Sequence, residues 1–253
     1  MLAAERWHKI VQLVNERGSI RVTELSELCE VTEETIRRDL DRLESEGKLL
    51  RSHGGAVSIQ TEQTVETPYR ERETAYPEEK RKIASEAVRF IQENDRIILD
   101  ASSTAWYMAQ RIPDIPLTVL TNSIKVAVEL SAKEKIQVIS TGGLLSPRSL
   151  SYVGPLAERS LSTYHVDKAF LSCKGLHADK GLSESNELQA LIKQAMIGIS
   201  DEVFVLADSS KVGQQSFARV TGWERVNCLI TDDKADREAL AAIRERAVQV
   251  IQV

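Results

Sequence analysis

From Lys80 onward, short apolar runs alternate with amphipathic stretches, and many of the runs end in small polar residues. No other feature of the chain constrains its fold as tightly. Residues 96–100, 117–120, 136–140, 168–172, 202–207, 227–231 and 248–253 read as strands. Residues 80–93, 104–111, a stretch ending near Ser131, 187–200 and 236–246 read as helices, the first turning Ile83, Ala84, Ala87, Val88 and Ile91 inward. Strands alternating with helices specify an α/β domain, with a largely parallel sheet covered on both faces.

In such sheets a ligand sits beyond the carboxyl ends of the strands. The candidate residues gather there: Asp100, Ser102, Ser103 and Thr104 after one strand, Thr121, Asn122 and Ser123 after the next, Gly142 and Gly143 after Thr141, and Asp208 and Lys211 after a later one. Small hydroxyl side chains, free backbone N–H groups and a helix start together bind an anion such as phosphate, and Lys211 adds a point charge. Any one of these turns, taken alone, reads more readily as an ordinary helix cap. Several on one sheet edge favour an anion site.

The first 57 residues follow a different pattern. Residues 3–16 carry Ile10, Leu13 and Val14 at helical spacing, with Trp7 near them, and stop at Arg17-Gly18. A short extended piece, 19–22, precedes a second helix that Thr23 is placed to cap, with Leu25 and Leu28 inward. Thr32 is an N-cap for a third helix whose Ile36, Leu40 and Leu43 share one face. The short turn between the last two helices makes a helix-turn-helix. With the apolar face inward, Arg37 and Arg38 project outward and Arg42 follows a turn later. Arginine can bond guanine O6 and N7 together, and this end of the helix reads bases in the motif. Residues 48–57 then read as a strand, a Gly54-Gly55 turn and a return strand, a wing placing Lys48, Arg51 and His53 along DNA, with the glycine pair permitting close approach to phosphate. A solvated helix face, with Arg37 and Arg38 balanced by Asp39 and Asp41, is the competing reading.

The run from Val22 to Val57 resembles the winged helix-turn-helix of the DeoR family of bacterial sugar-catabolism regulators, through Thr35–Leu40 (TIRRDL) and Arg51–Ala56 (RSHGGA). The resemblance implies DNA contacts by Thr32, Glu34, Thr35, Arg37, Arg38, Arg42, Lys48, Arg51, His53, Gly54 and Gly55. The larger part resembles the family's sensor domain, which is similar to the ribose-5-phosphate isomerase fold, through ILDASSTA, TNS, TGG, AFLSCKGL, the stretch from Glu187 to Lys193, and ADSSK. That likeness implies a phosphorylated sugar as effector and adds Lys174 and Glu187 to the candidate site. Two departures bear on sugar choice: Ser102 stands where the family usually has glycine, and Lys174 where many relatives are acidic. The ASSTAWYMA and SCKG strings are similar to regulators of rhamnose catabolism, which would make rhamnulose 1-phosphate the effector.

The expected organisation is a DNA-binding domain over 1–57, a polar linker over 58–79 with a helical turn around 68–73, whose second half could instead belong to the larger domain, and a sensor over 80–253. A net charge of −5 does not advertise nucleic acid, and residues 1–57 hold nine basic against eleven acidic groups, so a DNA-binding face depends on local placement. Cys29, Cys173 and Cys228 lack the spacing of a disulfide framework or zinc site and read as small buried residues. No metal or cofactor is expected. No apolar run is long enough to span a membrane, and no signal-peptide segment opens the chain, so a cytoplasmic location is expected. Double-stranded operator DNA implies a homo-oligomer, dimer or tetramer. The alternative class is a sugar-phosphate isomerase-like enzyme fused to a DNA-binding module, with Asp100, Glu187, Asp208 and Lys211 as acid–base groups.

Overall fold

The computed structural model describes residues 3–17, 19–52, 54–57 and 66–253, which separate into two compact units divided between Val65 and Glu66. In the first unit the elements run α1 (Ala3–Arg17), β1 (Ser19–Arg21), α2 (Val22–Cys29), α3 (Glu33–Ser45), β2 (Leu50–Ser52) and β3 (Gly55–Val57). Ile10, Val14, Leu25, Ile36, Leu40 and Leu43 are fully buried, so the helical periodicity converges on one small core. The turn between α2 and α3 is closed by Glu30 in the left-handed region at φ 55°, with the Val31 N–H donating to Ser26 O at 3.1 Å. Thr32 caps α3, its hydroxyl accepting from the Thr35 N–H. Thr23 does not cap α2. The helix begins one residue earlier at Val22, whose side chain belongs to the core, and Thr23 falls inside the first turn. The hairpin is wider than expected, because β1 pairs with β3 and the antiparallel order is β1-β3-β2.

The second unit contains α4 (Tyr69–Thr74), α5 (Pro77–Val88), β4 (Arg96–Leu99), α6 (Ser103–Ala109), β5 (Leu117–Thr121), α7 (Ile124–Leu130), β6 (Ile136–Ser140), β7 (Leu144–Ser146), β8 (Ser151–Val153), α8 (Pro155–Leu161), β9 (Val166–Leu171), β10 (Gly175–His177), β11 (Gly181–Glu184), α9 (Glu187–Gly198), β12 (Ser200–Leu206), β13 (Ala218–Thr221), β14 (Cys228–Thr231), α10 (Arg237–Arg244) and β15 (Gln249–Gln252). Seven strands form one parallel sheet in the order β15-β14-β12-β9-β4-β5-β6. Alternate residues feed opposite faces, as the two-residue strand repeat requires. Ile98, Ala169, Leu171, Val203 and Val205 join a core with α8, α9 and α10, whereas Ile97, Leu99, Phe170, Phe204 and Leu206 join one with α5, α6 and α7. All three cysteines are free and buried.

The linker expected over 58–79 ends earlier than the sequence suggested. Its first part lies outside the described residues; from Glu66 the chain belongs to the sensor unit. Tyr69 is 1% exposed, a burial a solvated linker does not provide. Helix α5 starts at Pro77, not Lys80, because proline suits the first helical turn, and it ends at Val88 rather than Glu93.

Candidate nucleic-acid interface and ligand site

On α3 the burial of Ile36, Leu40 and Leu43 leaves Arg37 and Arg38 outward, their side chains 49% and 79% exposed. Among the described residues each pairs only within its own helix: Arg37 donates to Glu33 at 2.6 Å, and Arg38 lies 3.3 Å from Glu34. Exposed pairs of this spacing contribute about 0.3–0.5 kcal/mol, so a base or phosphate displaces them at little cost. Arg42 lies over the Trp7 ring at 3.9 Å and donates to Glu46, which Lys48 also reaches at 2.7 Å. These two cations hold the Glu46 carboxyl below its usual range, Lys48 first. Arg51 sits 3.3 Å from Asp41, with its backbone N–H on Glu44 and a buried Nη1 that has no partner.

Asp39 does not balance the exposed arginines. It is 6% exposed and accepts from Arg6 Nε at 2.5 Å and Nη2 at 3.2 Å, and from Trp7 Nε1 at 2.6 Å. This fork fastens α1 beneath α3 and fixes the angle at which α3 is presented. The sequence reading missed it, since Asp39 follows two arginines and reads as their counter-charge.

The glycine pair divides into two roles. Gly54, at φ +89°, has open space where a side chain would stand, and its carbonyl accepts from the Val22 N–H at 2.9 Å. Gly55 instead lies against β1: a Cβ there would come within 2.2 Å of the Ile20 carbonyl oxygen. Its missing side chain serves strand packing, not an approach to phosphate. His53 lies outside the described residues.

In the sensor sheet the chain runs outward from β4 in both directions, through β5 and β6 on one side and through β9, β12, β14 and β15 on the other. The switch therefore falls between β4 and β9, where an open α/β sheet forms its ligand crevice. Asp100 follows β4 and is wholly buried; its carboxylate accepts from Ser102 N–H at 3.1 Å and, across the switch, from Ser172 N–H at 3.0 Å. Lys193 Nζ, 6% exposed, lies 3.0 Å from Asp100, 2.5 Å from Glu184 and 2.5 Å from Ser172 O. Burial opposes the lysine's charge, but the carboxylates of Asp100 and Glu184 outweigh it and hold the amine protonated above its ordinary range.

Several expected residues are thus already occupied in shaping the crevice. The Thr121 hydroxyl donates to Leu99 O and accepts from Ser123 N–H, Ser102 and Ser123 cap α6 and α7, and Asp208 closes its own turn onto Ser210. Gly142 and Gly143 are both at positive φ, yet a Cβ on Gly143 would press on Ala157 and the Val153 carbonyl at 3.0 Å. Ser103 and Thr104 are buried in the first turn of α6, and Lys211 lies in the short turn after Asp208. Glu187 is exposed in the first turn of α9, so the acidic member of the buried cluster is Glu184 instead. Lys174 donates to Thr67 Oγ1 at 3.1 Å. A groove of about 270 Å³ beside β11 and β13, lined by Asp179, Lys180 and Phe217 among others, contains none of the expected residues.

The segment from Glu66 to Ala75 crosses this same edge. The Tyr69 N–H donates to Arg148 O at 2.7 Å, Asn186 Nδ2 donates to Glu66 at 3.1 Å, and Lys125 pairs with Glu73 at 2.9 Å. Lys80, 4% exposed, donates to Arg72 O and Ala75 O from below. Burial, with Lys211 and Arg72 nearby, outweighs the pull of Asp208 and pushes the Lys80 amine down to about 8. The helical turn expected around 68–73 is α4, but the packing of this strap onto the sensor unit was not read from the sequence, where the Thr, Glu and Pro content signals a linker.

The DeoR-like helix-turn-helix domain matches residues 6–62, and the DeoR C terminal sensor domain matches residues 76–233. The HTH-type transcriptional regulator YulB of Bacillus subtilis is 56% identical over 100% of this chain and 98% of its own length. The L-fucose operon activator of Haemophilus influenzae is 39% identical over 88% of this chain and 89% of its own. Ribose 5-phosphate isomerase A of Methanocaldococcus jannaschii matches 52% of each chain at 18% identity and a TM-score of 0.39, too distant for its chemistry to bear on this one. No described helix is long and apolar enough to cross a membrane. These two relatives are a transcriptional regulator and an operon activator. With an arginine-bearing helix over one small core and a seven-stranded sensor sheet in the other unit, the chain belongs to the DeoR family of DNA-binding transcriptional regulators.

Proposed function

We propose that this regulator represses a sugar-catabolism operon and leaves its operator when a phosphorylated sugar binds at the β4/β9 switch of the sensor sheet. The observation that carries the reading is the outward placement of Arg37 and Arg38 on α3, held by nothing stronger than exposed pairs within the helix. On this reading Arg37 and Arg38 read base edges, with Thr32, Glu34 and Thr35 beside them. Arg42, Lys48, Arg51 and His53, with the backbone of Gly54, follow the phosphates. A dimer or tetramer acts in the cytoplasm on a two-fold operator. Release requires the sugar to bind the DNA-free arrangement more tightly than the DNA-bound one. Rhamnulose 1-phosphate is the first candidate to try.

Fluorescence anisotropy of the full chain on its upstream DNA, titrated with a panel of sugar phosphates, tests this. Release by one member is the expected outcome, and release by none rejects the inducer role. Transcript levels after deletion of the gene separate repression from activation: the operon's messages rise for a repressor and fall for an activator.

A further inference from the structure

Among the described residues, four buried polar atoms of the sensor unit have no hydrogen-bond partner: Thr231 Oγ1 at the end of β14, and three on the strap and the β5–α7 turn, Tyr69 Oη, Arg72 Nη2 and Asn122 Oδ1. Tyr69 and Asn122 are each 1% exposed. A buried donor or acceptor left unmade is destabilising, and native chains rarely tolerate one without a use for it. Two of the three stand on the strap. The third lies in the β5–α7 turn, where the Asn122 carbonyl accepts from Tyr152 N–H while the strap's Tyr69 N–H holds Arg148 O, four residues back along the same segment. Both strap side chains already have one anchored part. Arg72 donates its Nε to Thr67 O at 3.1 Å and lies 5.4 Å over the Tyr69 ring, which leaves one arm of the guanidinium fork unused. Lys211 and Arg72 lie close enough to Lys80 to help depress its amine, against the pull of Asp208 and Glu79, and Glu66 is the carboxylate beside Arg72. An unused guanidinium arm beside an unused phenol suits an oxyanion that accepts from several donors together. The free Asn122 oxygen suits a hydroxyl donor on the same molecule.

We propose that Tyr69 and Arg72 are direct contacts of the effector, donating to its phosphoryl oxygens, while Asn122 Oδ1 accepts from one of its hydroxyl groups. This rests on the effector reading above and extends it: the strap is one wall of the site, not a tether beside it. The effector class is a phosphorylated polyol or sugar, whose anionic and hydroxyl ends meet donors and an acceptor respectively.

The test uses the full chain and three probes, inorganic phosphate, rhamnulose 1-phosphate and fructose 1-phosphate, titrated by calorimetry into the wild type, Tyr69→Phe, Arg72→Gln and Arg72→Lys. Binding of at least one probe to the wild type is expected, weakened about 10- to 100-fold in Arg72→Gln and several-fold in Tyr69→Phe. Arg72→Lys should recover part of the loss, since it keeps the charge without the fork. Hydrogen exchange on the unaltered chain is the second measurement: amides of residues 66–75 should slow when the probe binds. If no probe binds the wild type, the effector reading fails and this inference fails with it. If a probe binds the wild type, Tyr69→Phe and Arg72→Gln equally, or slows amides near residue 102 but none in the strap, the effector reading stands and the strap contacts are overturned.

Discussion

Gly55 shows how one missing carbon sets a stability limit. A methyl group at 2.2 Å from the Ile20 carbonyl oxygen requires β1 and β3 to part, and overpacking of this kind costs about 1–3 kcal/mol. Gly55→Ala should therefore lower the denaturant midpoint of the first unit's unfolding; an unchanged midpoint would mean that the strands shift freely. Arg37 and Arg38 have the opposite profile. Replacing either with alanine removes only an exposed pair within α3, so stability should change by no more than about 0.5 kcal/mol. Operator affinity should fall by about 1–3 kcal/mol wherever the arginine reads a base. Anisotropy on operator and random DNA distinguishes the roles, because an equal loss on both marks a phosphate contact.

At the scale of elements, the sensor sheet is braced at its switch by one lysine between two carboxylates. Lys193→Met would strand Asp100 and Glu184 in a buried site, a loss on the order of 3–5 kcal/mol that chemical unfolding should register. Lys80, which holds the strap from below, gives a pH signature. Its folded amine sits near 8 against 10.5 unfolded, so between those values the unfolded chain binds a proton that the fold does not, and stability rises with pH. Measured against Lys80→Met from pH 7.5 to 9.5, the wild type should gain stability as pH rises; parallel curves would contradict the assignment. The long elements were legible because their periodicity is strong: α3 and the apolar strands β4, β5, β9 and β12 fall within a residue or two of their expected bounds. The hairpins β7–β8 and β10–β11, and the strand β13 that pairs with β11, were not, being three or four residues long with mixed polarity. At the site, the turns were legible from their small polar residues, but not which of them the fold itself uses up. Thr121 and Asp100 turned out to be fastened internally, whereas Tyr69, Arg72 and Glu184 carried no local pattern to mark them.

The whole molecule joins a unit that presents arginines to one that gathers polar turns, and paired presentation is what a symmetric operator demands. Sedimentation of the full chain should give a dimer or tetramer at micromolar concentration; a monomer that still binds its operator tightly would remove the symmetry argument. The early end of the tether has a practical consequence for anyone who divides the protein. A fragment opened at Lys80, where the apolar rhythm begins, discards the first turn of α5, the buried Tyr69 plug and both carbonyls that receive the Lys80 ammonium. One opened at Glu66 keeps all of these. The shorter piece should melt earlier than the longer, although the fourteen residues it lacks look dispensable on paper.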